Sequence, residues 1–262
     1  MTNMKFYGLN AIDSDTSFTF TSASTANCTY LYDNERTPVL TSVGSNDATP
    51  EVWEFDFGVD VTFDSIYIDN HNIKAGKIEY WTGAAWADFS TPISWSGNAD
   101  TTNYYEFTEL TKQKVKLTMD TTQVVDAQKT VGELRVLSEI GTLASNPSEF
   151  VPLFKYKQSL NQTVKGGNVK VRFGKKFGAR FLLSDAVEAD VVLAETLYDR
   201  NDSFYIYPSG GSATNEDGET LTQRGYRLFD MYLVNILSNF EPSIKKNIQE
   251  IGTRIPVKVA EI

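Results

Sequence analysis

From Ser17 to Leu137 the chain runs as short stretches rich in Thr, Tyr, Val, Ile and Phe, cut roughly every ten residues by Gly, Asn, Asp, Ser or Pro. Such a rhythm leaves room for strands and tight turns and little else, so it constrains this half to a β-sandwich or barrel. In Val52–Phe57 the large apolar Trp53, Phe55 and Phe57 alternate with other residues, which gives the strand one face for a core. Gly58 is expected to end it. Ile66–Asp69, Ile78–Trp81, Val115–Met119 and Leu134–Leu137 repeat the pattern, with Thr82–Ala85 as a turn between Trp81 and Trp86. No helical period of comparable length precedes residue 142.

At 262 residues the chain suits two modest domains better than one. Residues 1–142 hold 9 basic and 20 acidic side chains, net -11, against 15 and 14, net +1, in 143–262. The shift falls in Gly141–Ser148, a small, polar, proline-containing segment of linker character. Domains 1–142 and 143–262 are therefore expected. In the second, Val169–Phe173 and Phe177–Phe181 read as a hairpin around Gly174-Lys175-Lys176. Asp185 and Glu188 read as a capping box for a helix over Ala186–Tyr198, whose apolar face is Ala186, Ala189, Leu193 and Leu197. Phe204–Tyr207, Leu228–Leu237 and Gln249–Val259 read as strands, around a long polar loop between Pro208 and Arg227. The second domain is thus an antiparallel β-barrel or sandwich with one α-helix.

Composition narrows the chemistry. Cys28 is the single cysteine and His71 the single histidine, so a disulfide within the chain, a zinc cluster and a multi-histidine metal centre are all excluded. Cys28 is expected to be a small buried residue beside a strand. The carboxylates Glu54 and Asp56 are read as pointing to opposite faces of one strand, unusable as an acid–base pair. No enzyme is expected. An acidic first half repels a phosphate backbone, so nucleic acid is not an expected partner. No apolar run approaches the ~18 residues of a membrane-spanning helix, and none is expected. Met1–Phe6 lacks a secretory signal, so export by that route is not expected, while a mature form with its signal removed stays open.

Five successive pieces resemble the discoidin (coagulation-factor C-type, galactose-binding-like) domains, which are eight-stranded jelly-roll β-sandwiches. They are Tyr32–Thr37, Val52–Gly58, Val61–Ile68, Ile78–Trp86 and Val131–Val136, spread over residues 17–140. The resemblance implies ligand contacts in loops at one end of the sandwich, and many members bind sugars there. Trp95, Tyr104 and Tyr105 are the candidate sugar-stacking aromatics, since a flat ring face in a polar loop packs on a pyranose. His71, in the polar stretch Asp69–Ile73, joins them as a candidate ligand contact. Some sugar-binding relatives hold a structural calcium between the early acidic loop and the closing-strand glutamate. That role would fall to Asp33, Thr37 and Glu133, whose hard oxygens suit the ion, although this loop is one residue shorter than the usual pattern.

In order and size the second half resembles the split-barrel proteins that build tails and baseplates of tailed bacteriophages. It carries no signature motif of theirs. The resemblance implies a non-enzymatic structural protein of a virion, assembled in the host cytoplasm as a homo-oligomeric ring among other virion proteins, its sandwich facing host-surface glycans. The alternative is a free carbohydrate-binding, lectin-like protein.

Overall fold

A computed structural model describes residues 3–23, 25–34, 37–43, 47–144, 149–162, 168–183, 187–200, 202–207, 232–236, 243–247 and 250–261. The fold is mostly β. Its strands are β1 (Lys5–Tyr7), β2 (Ser17–Phe20), β3 (Leu40–Thr41), β4 (Glu51–Asp69), β5 (Ile73–Trp81), β6 (Trp86–Trp95), β7 (Thr102–Thr122), β8 (Thr130–Val131) and β9 (Glu133–Leu137). They continue with β10 (Glu139–Thr142), β11 (Glu149–Gln162), β12 (Asn168–Leu183), β13 (Phe204–Tyr207), β14 (Tyr232–Ile236), β15 (Ser243–Asn247) and β16 (Glu250–Glu261). One α-helix, α1 (Glu188–Asp199), lies among the described residues.

The chain divides into two compact units, Leu9–Glu139 and Met1–Gly8 together with Ile140–Ile262. The units therefore part at Glu139/Ile140 instead of after Thr142. The first eight residues go with the later unit because β1 pairs with β13, Phe6 opposite Ile206, and because Leu143 N–H donates to the Met4 carbonyl.

In the unit Leu9–Glu139 one sheet runs β2-β4-β7-β5-β6, with β9 added to β4, and β3 pairs with β8. Gly58 does not end its strand. β4 continues to Asp69 beside β7, and the register shifts between Asp56 and Val61, where Gly58 takes φ +75° and its N–H donates to Asp56 Oδ1. Glycine tolerates that left-handed backbone at no steric cost, so a bulge forms where a stop is expected. A second shift at Asp64 moves the inward-facing set from Phe55, Phe57 and Phe63 to Ile66 and Ile68. The two halves of the ladder contribute to one core: Phe89 of β6 meets Phe107 of β7 at 4.4 Å, beside Trp53, Phe55, Leu117, Leu134 and Val136. Thr25–Leu31 forms a 3-10 helix that the strand rhythm does not foretell, and Cys28 sits in it half-exposed instead of buried beside a strand.

The other unit holds an antiparallel sheet in the order β10-β1-β13-β14-β16-β12-β11, with β15 on β16. Among the described residues this path does not close into a barrel. The expected hairpin at Gly174–Lys176 is absent: β12 is continuous from Asn168 to Leu183 and pairs with β11, Gly174 standing opposite Lys157, and a register shift opposite Lys157/Gln158 passes over Phe173. The helix begins at Glu188 behind Val187, which supplies no side-chain cap. Its buried face is Asp190, Leu193, Ala194 and Leu197, one set at helical spacing, while Ala189 is exposed. Asp190 belongs to that face because its carboxylate accepts the Ala144 N–H at 2.7 Å. Asp185, Ala186 and the 208–227 loop lie outside the described residues.

Candidate functional site

The connections 42–43, 47–50, 70–72, 96–101 and 123–129 gather at one end of the sandwich. Side chains tie them together. Asn72 Nδ2 donates to the Gln128 carbonyl at 2.7 Å, Gln123 Nε2 to the Asp100 carbonyl at 2.9 Å, and Gln128 Nε2 to the Ser42 carbonyl at 3.0 Å. Lys129, buried, donates from Nζ to the Thr49 carbonyl at 2.9 Å. Loops held by this many cross-bonds present a fixed surface, so a ligand would not have to order them.

Three of the four expected ligand residues meet at this end. Trp95, the last residue of β6, stacks on Tyr105 of β7 with centroids 5.6 Å apart and planes 23° apart. Both rings are partly exposed and pack against the core edge. Trp95 also lies over Gly76, its register partner, where a Cβ would stand 3.1 Å from the indole. The Trp95 Nε1 donor is buried without a hydrogen-bond partner. The Tyr105 hydroxyl accepts from Asn103 Nδ2, and Asn103 Oδ1 lies 3.2 Å from His71 Nε2. Because His71 Nδ1 accepts the Ile73 N–H at 3.1 Å, the ring proton sits on Nε2 and donates to Asn103.

That geometry corrects the reading of His71 as an open loop contact. It is only 2% exposed, both ring nitrogens are engaged, and burial holds its pKa below the ordinary value against the pull of Asn103, Asp69 and Asp100. It braces Asn103. Tyr104, next to Tyr105 on a strand, points the other way, and its hydroxyl donates to Glu106 Oε1 at 2.6 Å. Sequence reasoning missed Asn103, whose only signal is its place two residues before Tyr105 on one strand face.

Asp33 and Glu133 also come together, as the calcium reading requires, whereas Thr37 is exposed beside Pro38. Glu133 is fully buried, and its nearest cation is Arg135, Nε to Oε2 at 3.5 Å. Burial first, then the Asp33 carboxyl and the Asp69 charge, push its pKa up to about 8, with Arg135 opposing. Neither carboxylate oxygen of Glu133 has a hydrogen-bond donor. Glu133 is buried while Asp33 is exposed, so the burial cost falls on the Glu133 carboxyl, whose charge a proton or a cation would offset. Oxygen donors of this kind fit a hard cation. Among the described residues no three His, Cys, Asp or Glu side chains are grouped to hold a metal ion.

Glu54 and Asp56 are two apart on β4 and share its solvent face, opposite Trp53 and Phe55, so the expectation of opposite faces is corrected. Asp56 is occupied: Lys114 Nζ lies at 2.6 Å and Gln113 Nε2 donates at 2.9 Å, and these partners hold its carboxyl below the usual range despite its partial burial.

No family model and no curated protein matches this chain. Among solved structures, SpGH29 shares 17% identity over 48% of this chain and 27% of its own, with a TM-score of 0.39. The chain thus spans about a quarter of that protein. Chitosan-binding module 1 of a chitosanase/glucanase from Paenibacillus sp. IK-5 shares 14% identity over 49% of this chain and 98% of its own, TM-score 0.41. CpGH89CBM32-5 from Clostridium perfringens, solved in complex with GalNAc-β-1,3-galactose, shares 14% over 47% and 96%, TM-score 0.39.

Proposed function

We propose that Leu9–Glu139 is a non-catalytic glycan-binding unit that takes its ligand at the cross-bonded loop end, with Trp95 as the contact ring. The observation that carries this reading is the Trp95–Tyr105 stack, partly exposed at that end and braced through Asn103 to His71. A flat ring held in place from behind suits the apolar face of a sugar, and the fixed amides and carboxylates around it suit the hydroxyls. Tyr105 supports the ring, and Tyr104 lies outside the site. Asp33 and Glu133 would hold a structural calcium ion, with backbone carbonyls and water as further ligands.

The finer reading places this unit on a homo-oligomeric ring built by the later unit, in the tail or baseplate of a tailed bacteriophage. It rests on the resemblance in order and size of the second half.

A glycan array probed with the full chain tests the binding claim. Binding is expected, and Trp95→Ala should weaken it by roughly 1–3 kcal/mol, the scale of one aromatic contact. Because Trp95 packs on Gly76 and Tyr105, the variant should also lose some thermal stability. An array without a binder would leave the sandwich without its proposed role. Calcium should raise the melting temperature of the wild type and leave Glu133→Gln unmoved; no rise in the wild type would remove the ion. Size-exclusion chromatography with negative-stain microscopy tests assembly, since a strictly monomeric glycan binder would favour the free lectin-like reading.

A further inference from the structure

The strands β5, β6 and β7 carry a second aromatic pair far from any core duty. Ile78 and Tyr80 of β5 face inward, so Lys77, Glu79 and Trp81 face out, and Trp81 stands directly opposite Trp86 in the β5–β6 hairpin. The two indoles meet at 5.3 Å and 64°, and both keep part of their surface exposed. Around them the polar groups are fixed in place. Glu79, only 7% exposed, binds Lys116 Nζ at 2.8 Å and Lys77 Nζ at 3.1 Å, and Lys116 Nζ also lies 4.7 Å from the Trp86 ring centre. Lys114 is tied to Asp56.

Charge and size say what such a patch takes. The unit Leu9–Glu139 has 8 basic and 20 acidic side chains, net -12, yet Lys77, Lys112, Lys114 and Lys116 are half of its cations. Next to the two indoles Lys77 and Lys116 meet Glu79 and Asp88, which stand opposite each other in the β5–β6 ladder, so the immediate surroundings of the pair carry no net charge. None of the strongly exposed aliphatic side chains lies on β5, β6 or β7, which leaves two rings ringed by polar groups. Two rings are too little for a protein interface of about 800 Å² per partner, and they match one or two sugar rings.

We infer that Trp81 and Trp86, with Glu79, Lys77 and Lys116, form a second saccharide-binding surface, specific for neutral oligosaccharides and separate from the loop end. This inference rests on the glycan-binding reading above. The competing role, hairpin stabilisation by a cross-strand aromatic pair, needs the apolar area of Trp81 but not its flat ring.

The chain has four tryptophans, so uniform 5-fluorotryptophan labelling of the full protein gives one fluorine signal each for Trp53, Trp81, Trp86 and Trp95. Titration with tetra-N-acetylchitotetraose and with N-acetyllactosamine should shift the Trp81 and Trp86 signals saturably and leave buried Trp53 fixed. Trp81→Leu, which keeps the apolar bulk, should weaken the response at Trp86 at least tenfold and leave that at Trp95 unchanged. Shifts at Trp95 alone would overturn the second surface and leave the loop-end reading standing. Shifts that never saturate, or none at any tryptophan, would overturn both.

Discussion

Trp53 shows how much one side chain decides. It is fully buried, and its Nε1 donates to Glu51 Oε1 at 2.9 Å, while Glu51 also accepts the Ser22 N–H and hydroxyl. Trp53→Ala should cost on the order of 3–5 kcal/mol in denaturant unfolding, since it opens a large cavity in a close-packed core. Glu51→Ala should cost about 1–3 kcal/mol by stranding the buried indole donor. Iodide quenching of Trp53 emission in a Trp81→Phe, Trp86→Phe, Trp95→Phe background should be weak, and free quenching would contradict its burial. Trp53 was legible because alternation marks an inward residue. Glu51 was not, because alternation also sends a carboxylate at that position inward with no sign of what will meet it. His71 misleads for the same reason: flanked by Asn and Asp it reads as open loop, and only the fold brings Asn103 and the Ile73 amide to its ring. As the sole histidine it gives one ring resonance set, which should titrate with a midpoint below 6.5. Its folded pKa lies below the unfolded one, so the unfolded chain binds the proton more readily. Stability is thus full above about pH 6.5 and falls as pH drops through that value toward the folded pKa; His71→Asn should flatten this slope. A ring midpoint above 6.5 would contradict the burial.

At the scale of elements, glycines mark where sequence punctuation and structure part. Gly58 and Gly174 both read as strand ends or turns, and both sit at or beside register shifts inside long strands. A local signal reports that the backbone can turn there; whether it does depends on a partner strand, β7 for one and β11 for the other, that pairs on both sides of the irregularity. Gly76 is silent in the sequence yet strict in the fold, because a Cβ there would stand 2.5 Å from the Thr118 carbonyl oxygen. Gly76→Ala should therefore destabilise by on the order of 1–3 kcal/mol and disturb the Trp95 stack, read as a lower melting temperature together with altered Trp95 fluorescence. By contrast Thr82–Ala85 was fully legible. Gly83 takes φ +97° and the Thr82 N–H donates to the Ala85 carbonyl, as a short loop between two tryptophans demands.

At the scale of the molecule, the charge shift read from composition falls in Gly141–Ser148, and the compact units part at Glu139/Ile140. Composition missed the first strand: Lys5–Tyr7 pairs with Phe204–Tyr207 across nearly the whole chain, and no local pattern carries a contact of that separation. The candidate site divides in the same way. Trp95 and Tyr105 were legible as aromatics among polar neighbours, and Asp33 with Glu133 through family resemblance, whereas the brace behind them is tertiary. The claim that Leu9–Glu139 recognises glycans at its loop end is tested most directly by backbone amide shift mapping of the full chain, titrated with the strongest glycan from the array. The expected result is saturable perturbation of residues 96–105 and 70–73, with the amides around Trp53 unmoved. Perturbation confined to 140–262, or none at saturating glycan, would contradict it.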